Sequence, residues 1–135
     1  MICLDTNVVV GCLRGRPPTL AERLQQEITR DAFALPVIVL YELRYGAAKS
    51  ARPKDNGERL ALFLQLPIAV LPFEPDDAEE ASDIRAALER ARTPIGPYDV
   101  LIAAQARRRD AVLVTANTRE FIRVPRLKVE DWTAG

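Results

Sequence analysis

Histidine is absent from the 135 residues of this chain. Serine–histidine–aspartate and cysteine–histidine catalysis both need an imidazole base, as does metal-free RNA cleavage by a histidine pair, so all three are excluded. Cysteine is scarce too: Cys3 lies in an apolar run and Cys12 on the segment after it, a usage that suits small buried hydrophobes in a reducing cytoplasm and not a disulfide framework. No basic-then-apolar leader opens the sequence and no stretch of about 18 uninterrupted apolar residues occurs in it, which argues against secretion and against membrane spanning. An excess of charge is also missing. Nineteen basic and nineteen acidic residues cancel, so bulk charge cannot hold nucleic acid and only local basic patches remain for that purpose.

What is present is core material. A hydrophobic content of 48% over 135 residues is enough for one domain spanning residues 1–135, and the ten prolines fall mostly between apolar runs, as punctuation. Short apolar runs at Ile2–Leu4, Ala34–Ile38, Ile68–Leu71, Ala111–Val114 and Leu127–Val129 read as strands. Between them lie helical segments. One runs through Val10 and Leu13 to a stop at Gly15-Arg16-Pro17-Pro18; the next is capped by Thr19 with Glu22 and carries Leu20, Leu24 and Ile28 on one face. A helix over Val39–Ala48 and a polar turn over Lys49–Gly57 follow, then a helix with Leu60, Phe63 and Leu64 inward, ended by Pro67. The acids between Glu74 and Asp83 open a helix from Asp76 to Arg92 and read as a solvated, dipole-complementing face. Pro97 suits the first position of an apolar helix over Tyr98–Arg109, whose final Arg107-Arg108-Arg109 reads as a solvated C-terminal end. Trp132 is expected to cover one end of the core. Strands alternating with helices predict an α/β fold, a parallel sheet with helices on both faces joined by right-handed crossovers.

Four oxygen-bearing side chains stand where such a sheet would gather ligands. Asp5 follows the first strand, Glu42 lies in the first turn of a helix, Asp99 opens its own helix and Asn117 follows the fourth strand. In a doubly wound sheet, strand C-termini and helix N-termini meet on one edge. Three carboxylates there would repel one another and raise their pKa values unless a cation sat among them. Because the donors are hard oxygens, Mg²⁺ or Mn²⁺ suits them better than Zn²⁺, and such a site suits phosphodiester hydrolysis. Simpler readings stand beside these. Asp5 could be only a helix N-cap, Asp99 only a first-turn acid, Asn117 only a turn residue; Thr115 and Glu120 could serve a local hydrogen bond and a solvated helix start. Glu42 is harder to read that way, since it sits among Val39, Leu40, Tyr41 and Leu43, where a lone buried carboxylate is costly.

Leu4-Asp5-Thr6-Asn7, Tyr41-Glu42-Leu43 with Gly46, Asp99 to Ala106, and Leu113 to Phe121 together resemble the PIN-domain ribonucleases, and within them the VapC toxins of bacterial toxin–antitoxin pairs. The ending Arg123 to Leu127 and Val129-Glu130-Asp131-Trp132 extends the likeness over the whole chain. The resemblance implies a three-layer α/β/α fold with sheet order 3-2-1-4-5, Mg²⁺- or Mn²⁺-dependent endonucleolytic cleavage of RNA (tRNA or another structured RNA), and inhibition by a VapB-type antitoxin. It also implies a homodimer, with a larger hetero-oligomer when the antitoxin is bound. By motif position Asp5, Glu42 and Asp99 match the family's metal-site acids. Asn117 stands where some members carry a fourth acid, so it suits orienting a water or ligand, and Glu120 is placed to supply the missing charge. Thr6, Asn7 and Thr115 flank the same motifs. Arg14, Arg16, Lys49 and Arg52, near helix ends, are the candidates for RNA contact.

Two other classes fit parts of this pattern. A non-cleaving PIN-like module would bind RNA or protein through the same cleft, and the neutral charge and Asn117 favour it. A phosphatase with Asp5 as nucleophile usually wants a second acid two residues on, where Asn7 stands.

Overall fold

Short apolar runs become five parallel strands. In the computed structural model, which describes residues 1–133, β1 (Ile2–Leu4), β2 (Phe33–Pro36), β3 (Ile68–Leu71), β4 (Val112–Val114) and β5 (Lys128–Glu130) pair in the order β3-β2-β1-β4-β5. Every pairing is parallel. All residues of β1 and β2 are buried, while β5 alternates exposed and half-buried positions. That contrast is what central and edge strands of a covered parallel sheet require.

Among the described residues seven helices connect the strands: α1 (Thr6–Arg14), α2 (Pro18–Glu27), α3 (Val37–Lys49), α4 (Pro53–Phe63), α5 (Pro75–Arg90), α6 (Pro97–Arg108) and α7 (Thr118–Phe121). The chain steps outward from β1 to β3, then jumps back to β4 and continues outward on the other side. With right-handed crossovers this reversal puts α1 to α4 on one face and α5 to α7 on the other. It also leaves β1 and β4 side by side with their connections departing in opposite directions. The crevice beyond their C-terminal ends is where ligands bind in such sheets, and Asp5 and Thr115 stand at its two lips.

Helix starts depart from the sequence reading in an instructive way. Thr19 does not cap α2; Pro17 occupies the N-cap position and Pro18 the first turn, because a proline needs no helical N–H partner there. Pro53 does the same for α4, with Asp55 in its first turn, so most of the expected polar turn over Lys49–Gly57 is helical. Val37 and Ile38 belong to α3, not to β2, and β5 sits one residue later than expected. At the other end of α1, Gly15 adopts φ 68°, ψ 29° and its N–H closes onto Cys12, a left-handed cap that glycine takes without cost.

The largest departure concerns the charged runs on α5 and α6. Asp77, expected on a solvated face, has no exposure at all. Arg108 Nε and Arg109 Nη1 donate to its Oδ1 at 2.7 and 2.8 Å, and Arg107 Nε donates to Glu80 at 2.6 Å. The acids and the arginines, each read as a solvated helix end, are one another's partners and fasten α5 along α6. Elsewhere the core follows the pattern: Leu20, Leu24, Leu60 and Phe63 are buried, and Trp132 packs edge-on against Phe33 with the Arg23 guanidinium 4.7 Å from its ring centroid. Cys3 is buried and Cys12 half-buried, both as free thiols. Among the described residues no helix is long and apolar enough to cross a membrane.

Candidate active site

Asp5 leaves β1 with extended backbone (ψ 163°) and its carbonyl oxygen accepts the N–H groups of Val8 and Val9. Its side chain makes no capping bond. Instead Asp5 Oδ2 accepts the hydroxyl of Thr115, just past β4, at 2.7 Å. The same hydroxyl oxygen accepts the Asn117 N–H at 2.9 Å, and Asn7 Oδ1 accepts the Ala116 N–H at 3.1 Å. These bonds lock the two central strand ends together. Thr6 turns the other way and donates to Glu42 Oε1 at 2.7 Å. Glu42 therefore lies in the second turn of α3, not the first, and is half-buried with a partner, not a lone buried carboxylate.

Asp99 enters from the first turn of α6. Gly96, the residue before that helix, is what gives it room: a Cβ on Gly96 would come within 3.1 Å of Asp99 Oδ2. Asn117 donates its amide to Glu120 Oε2 at 3.1 Å, and the Glu120 carboxylate is close enough to Asp99 to push its pKa upward. Asp5, Thr6, Asn7, Glu42, Asp99 and Asn117 line one open cleft of about 600 Å³. All the residues singled out at the acid site thus converge, and Thr115 and Glu120 support it from behind.

The charges here are unbalanced. Burial, first, and then the neighbouring Asp5, Glu120 and Glu42 carboxylates push Asp99 up to about 7. Asp5 is raised as well, chiefly by burial, against the bond from Thr115. Among the described residues none of Asp5, Glu42, Asp99 and Glu120 forms an ion pair with a lysine or arginine. Hard carboxylate oxygens gathered without a counter-charge are the donor set a hydrated divalent cation fits. Among the described residues no three such side chains stand close enough together to hold a metal ion between them, so an ion here would take one or two carboxylates directly and complete its shell with water.

Of the basic residues, Arg14 and Arg16 line the acid cleft. Lys49 lines two neighbouring cavities. Arg52 does not reach the cleft; it occupies the N-cap position of α4 because that helix starts earlier than the sequence suggested. An apolar groove of about 320 Å³, with Val10, Leu13, Leu43 and Leu60 in its walls and Arg59 on its lining, runs into the cleft through Thr6, Glu42 and Arg14. Arg59, Gly96, Tyr41, Tyr45 and Tyr98 were not singled out from the sequence; the one available signal was that every tyrosine sits within a residue or three of an acid of the site.

The PIN domain family model matches residues 2–127. The tRNA(fMet)-specific endonuclease VapC of Salmonella typhimurium is 39% identical over 129 residues, covering 96% of each chain. Among solved structures, VapBC2 of Rickettsia felis bound to a DNA fragment from its promoter superposes with a TM-score of 0.92 at 34% identity, covering 98% of this chain and 99% of that one. DNA-bound VapBC of Salmonella typhimurium gives 0.89 at 38% identity, covering 97% of both chains. The chain belongs to the PIN-domain family, among the VapC ribonucleases of toxin–antitoxin pairs.

Proposed function

We propose that this protein is a divalent-metal-dependent endoribonuclease, the toxin of a VapBC-type pair, cutting phosphodiester bonds of tRNA or another structured RNA in the cytoplasm. One observation carries the reading: Asp5, Glu42 and Asp99, far apart in the chain, line one cleft at the sheet's switch point. Asp5, Asp99 and Glu42 would hold Mg²⁺ or Mn²⁺. When bound, the ion lowers the pKa of water and steadies a departing oxyanion.

The chain's own residues then have distinct tasks. Thr115 fixes the rotation of Asp5 and Thr6 that of Glu42, so each carboxylate meets the ion in one orientation. Asn117 positions Glu120 and supplies no charge itself; Glu120, against Asp99, supplies the fourth negative group. Arg14 and Arg16, in the same cleft, hold RNA phosphates. An apolar segment of a VapB-type antitoxin lying in the groove beside the cleft would close access through Thr6 and Glu42. The toxin works as a homodimer, and as a larger hetero-oligomer with its antitoxin.

Purified protein with Mn²⁺ is expected to cut a tRNA pool, to stop when the metal is chelated, and to lose cutting in Asp5→Ala and Asp99→Asn. Equal cutting by those variants would reject the assignment. Binding of RNA with metal but no turnover would favour a non-cleaving module instead.

A further inference from the structure

The chain has three tyrosines, and all three stand together beside the acid cleft. Phe33, Phe63, Phe121 and Trp132 are buried, whereas Tyr41, Tyr45 and Tyr98 are 52%, 56% and 48% exposed. Three exposed rings in contact with one another form a contiguous patch of the kind that marks an interaction site. Tyr41 and Tyr45, one turn apart on α3, have near-parallel rings (15°) with centroids 6.5 Å apart. Tyr98, at the start of α6, leans on Tyr41 at 5.7 Å. Two helices therefore present π-faces from positions fixed by packing.

With Thr6, Glu42, Gly46 and Lys49 these rings line a recess of about 470 Å³. Thr6 and Glu42 belong to the acid cleft as well, so the recess opens directly beside it. A Cβ on Gly46 would meet nothing within 4 Å, so the recess is open at that position. Lys49 Nζ lies 4.8 Å from the Tyr45 ring centroid and makes no ion pair among the described residues. The walls are aromatic and polar; the aliphatic side chains that an apolar peptide would seek are in the neighbouring groove. A second copy of the chain seated here would cover Glu42 and Lys49, neither of which has an ion-pair partner among the described residues, a costly burial for two charges.

We infer that Tyr41, Tyr45 and Tyr98 form a stacking platform for an unpaired RNA base next to the scissile phosphodiester, with Lys49 on the adjoining phosphate. The inference rests on the nuclease reading for its substrate. Aromatic faces stack any base, and only a base outside a duplex can reach them. The platform thus directs the acids to loops and single strands, a selection that the net charge of zero could not make.

The test uses the full-length Asp5→Ala protein, which cannot cut, and a short single-stranded oligoribonucleotide carrying fluorescent 2-aminopurine at successive positions. Stacking is expected to quench the probe at one or two adjacent positions. Tyr41→Leu with Tyr45→Leu should abolish that quench and weaken binding about tenfold or more, Tyr→Phe at both should restore it, and the same RNA as a duplex should bind more weakly. In the cutting-competent protein the leucine pair should raise KM and leave turnover at saturating RNA nearly unchanged. No position-specific quench, or equal quench and affinity in the leucine pair, would overturn the platform. So would conversion of the leucine pair from dimer to monomer with single-strand binding unaltered, since the face would then belong to a second copy. Failure of the nuclease reading is separate: it shows as absence of cutting while the quench and its loss persist.

Discussion

Thr115 donates its hydroxyl to Asp5 Oδ2 at 2.7 Å across 110 positions of sequence, and both side chains are buried. The same oxygen receives the Asn117 N–H, so one hydroxyl aims an acid and anchors the loop after β4.

Thr115→Val keeps shape and removes that hydroxyl, leaving Asp5 Oδ2 and the Asn117 N–H without it. The expected cost is about 1–3 kcal/mol of stability, read by thermal melting, with a larger proportional loss of cutting because Asp5 can then rotate. Thr115→Ser should recover both. If Thr115→Val melts lower but cuts as wild type, the bond holds the fold and not the acid.

Gly96→Ala tests the approach to Asp99. The backbone at Gly96 (φ −56°, ψ 148°) accepts any residue, so melting should stay close to wild type. The new Cβ, 3.1 Å from Asp99 Oδ2, must displace the carboxylate, and cutting should fall by about tenfold, since misplacement by a fraction of an ångström is felt at such sites. Unchanged cutting would mean that Asp99 yields without consequence.

Metal removal should destabilise the wild-type protein, because the raised carboxyls of Asp99 and Asp5 are then left facing one another. Asp99→Asn relieves that repulsion, so the chelated variant should melt above the chelated wild type and gain less from added Mn²⁺. Identical melting of all four samples would remove the argument for a cation in the cleft.

Asp77 governs an acid-side loss of stability. Burial works against its ionisation, but hydrogen bonds from Arg109, Arg108 and the Glu74 N–H bring it down to about 2. A carboxyl lowered on folding stabilises the native state above its unfolded pKa of about 4 and loses that contribution as pH falls toward 2, about 2 kcal/mol here. Asp77→Ala should cost about 3 kcal/mol at neutral pH, since Arg108 and Arg109 lose their buried partner and keep Glu74 and the Gln105 carbonyl, and should flatten the melting profile between pH 4 and 2. Cutting at a permissive temperature should persist, because the network lies away from the acids.

How far the sequence reached is clearest at particular residues. The alternation of apolar runs with helical segments, Pro97 at a helix start and the isolated acids Asp5 and Asp99 made the parallel α/β layout legible, because hydrophobic period and proline chemistry act locally. The ordered motifs added the strand order, which no local rule contains. Element edges were less legible where two local rules competed: Thr19 is a good cap, yet Pro18 is a better first residue, and only the packed helix decides between them.

The sequence by itself determined which chemistries were open to this protein: without histidine, and with single acids placed after strands and at helix starts, little but hard-oxygen chemistry remained. Tertiary structure alone decided the pairings. Nothing local distinguishes a solvated arginine run from one that fastens Asp77, a turn asparagine from one that holds Glu120, or a surface tyrosine from a member of a three-ring cluster. Each of those distinctions depends on which distant segment lies opposite, and that is set by the crossover that returns the chain from β3 to β4 beside β1.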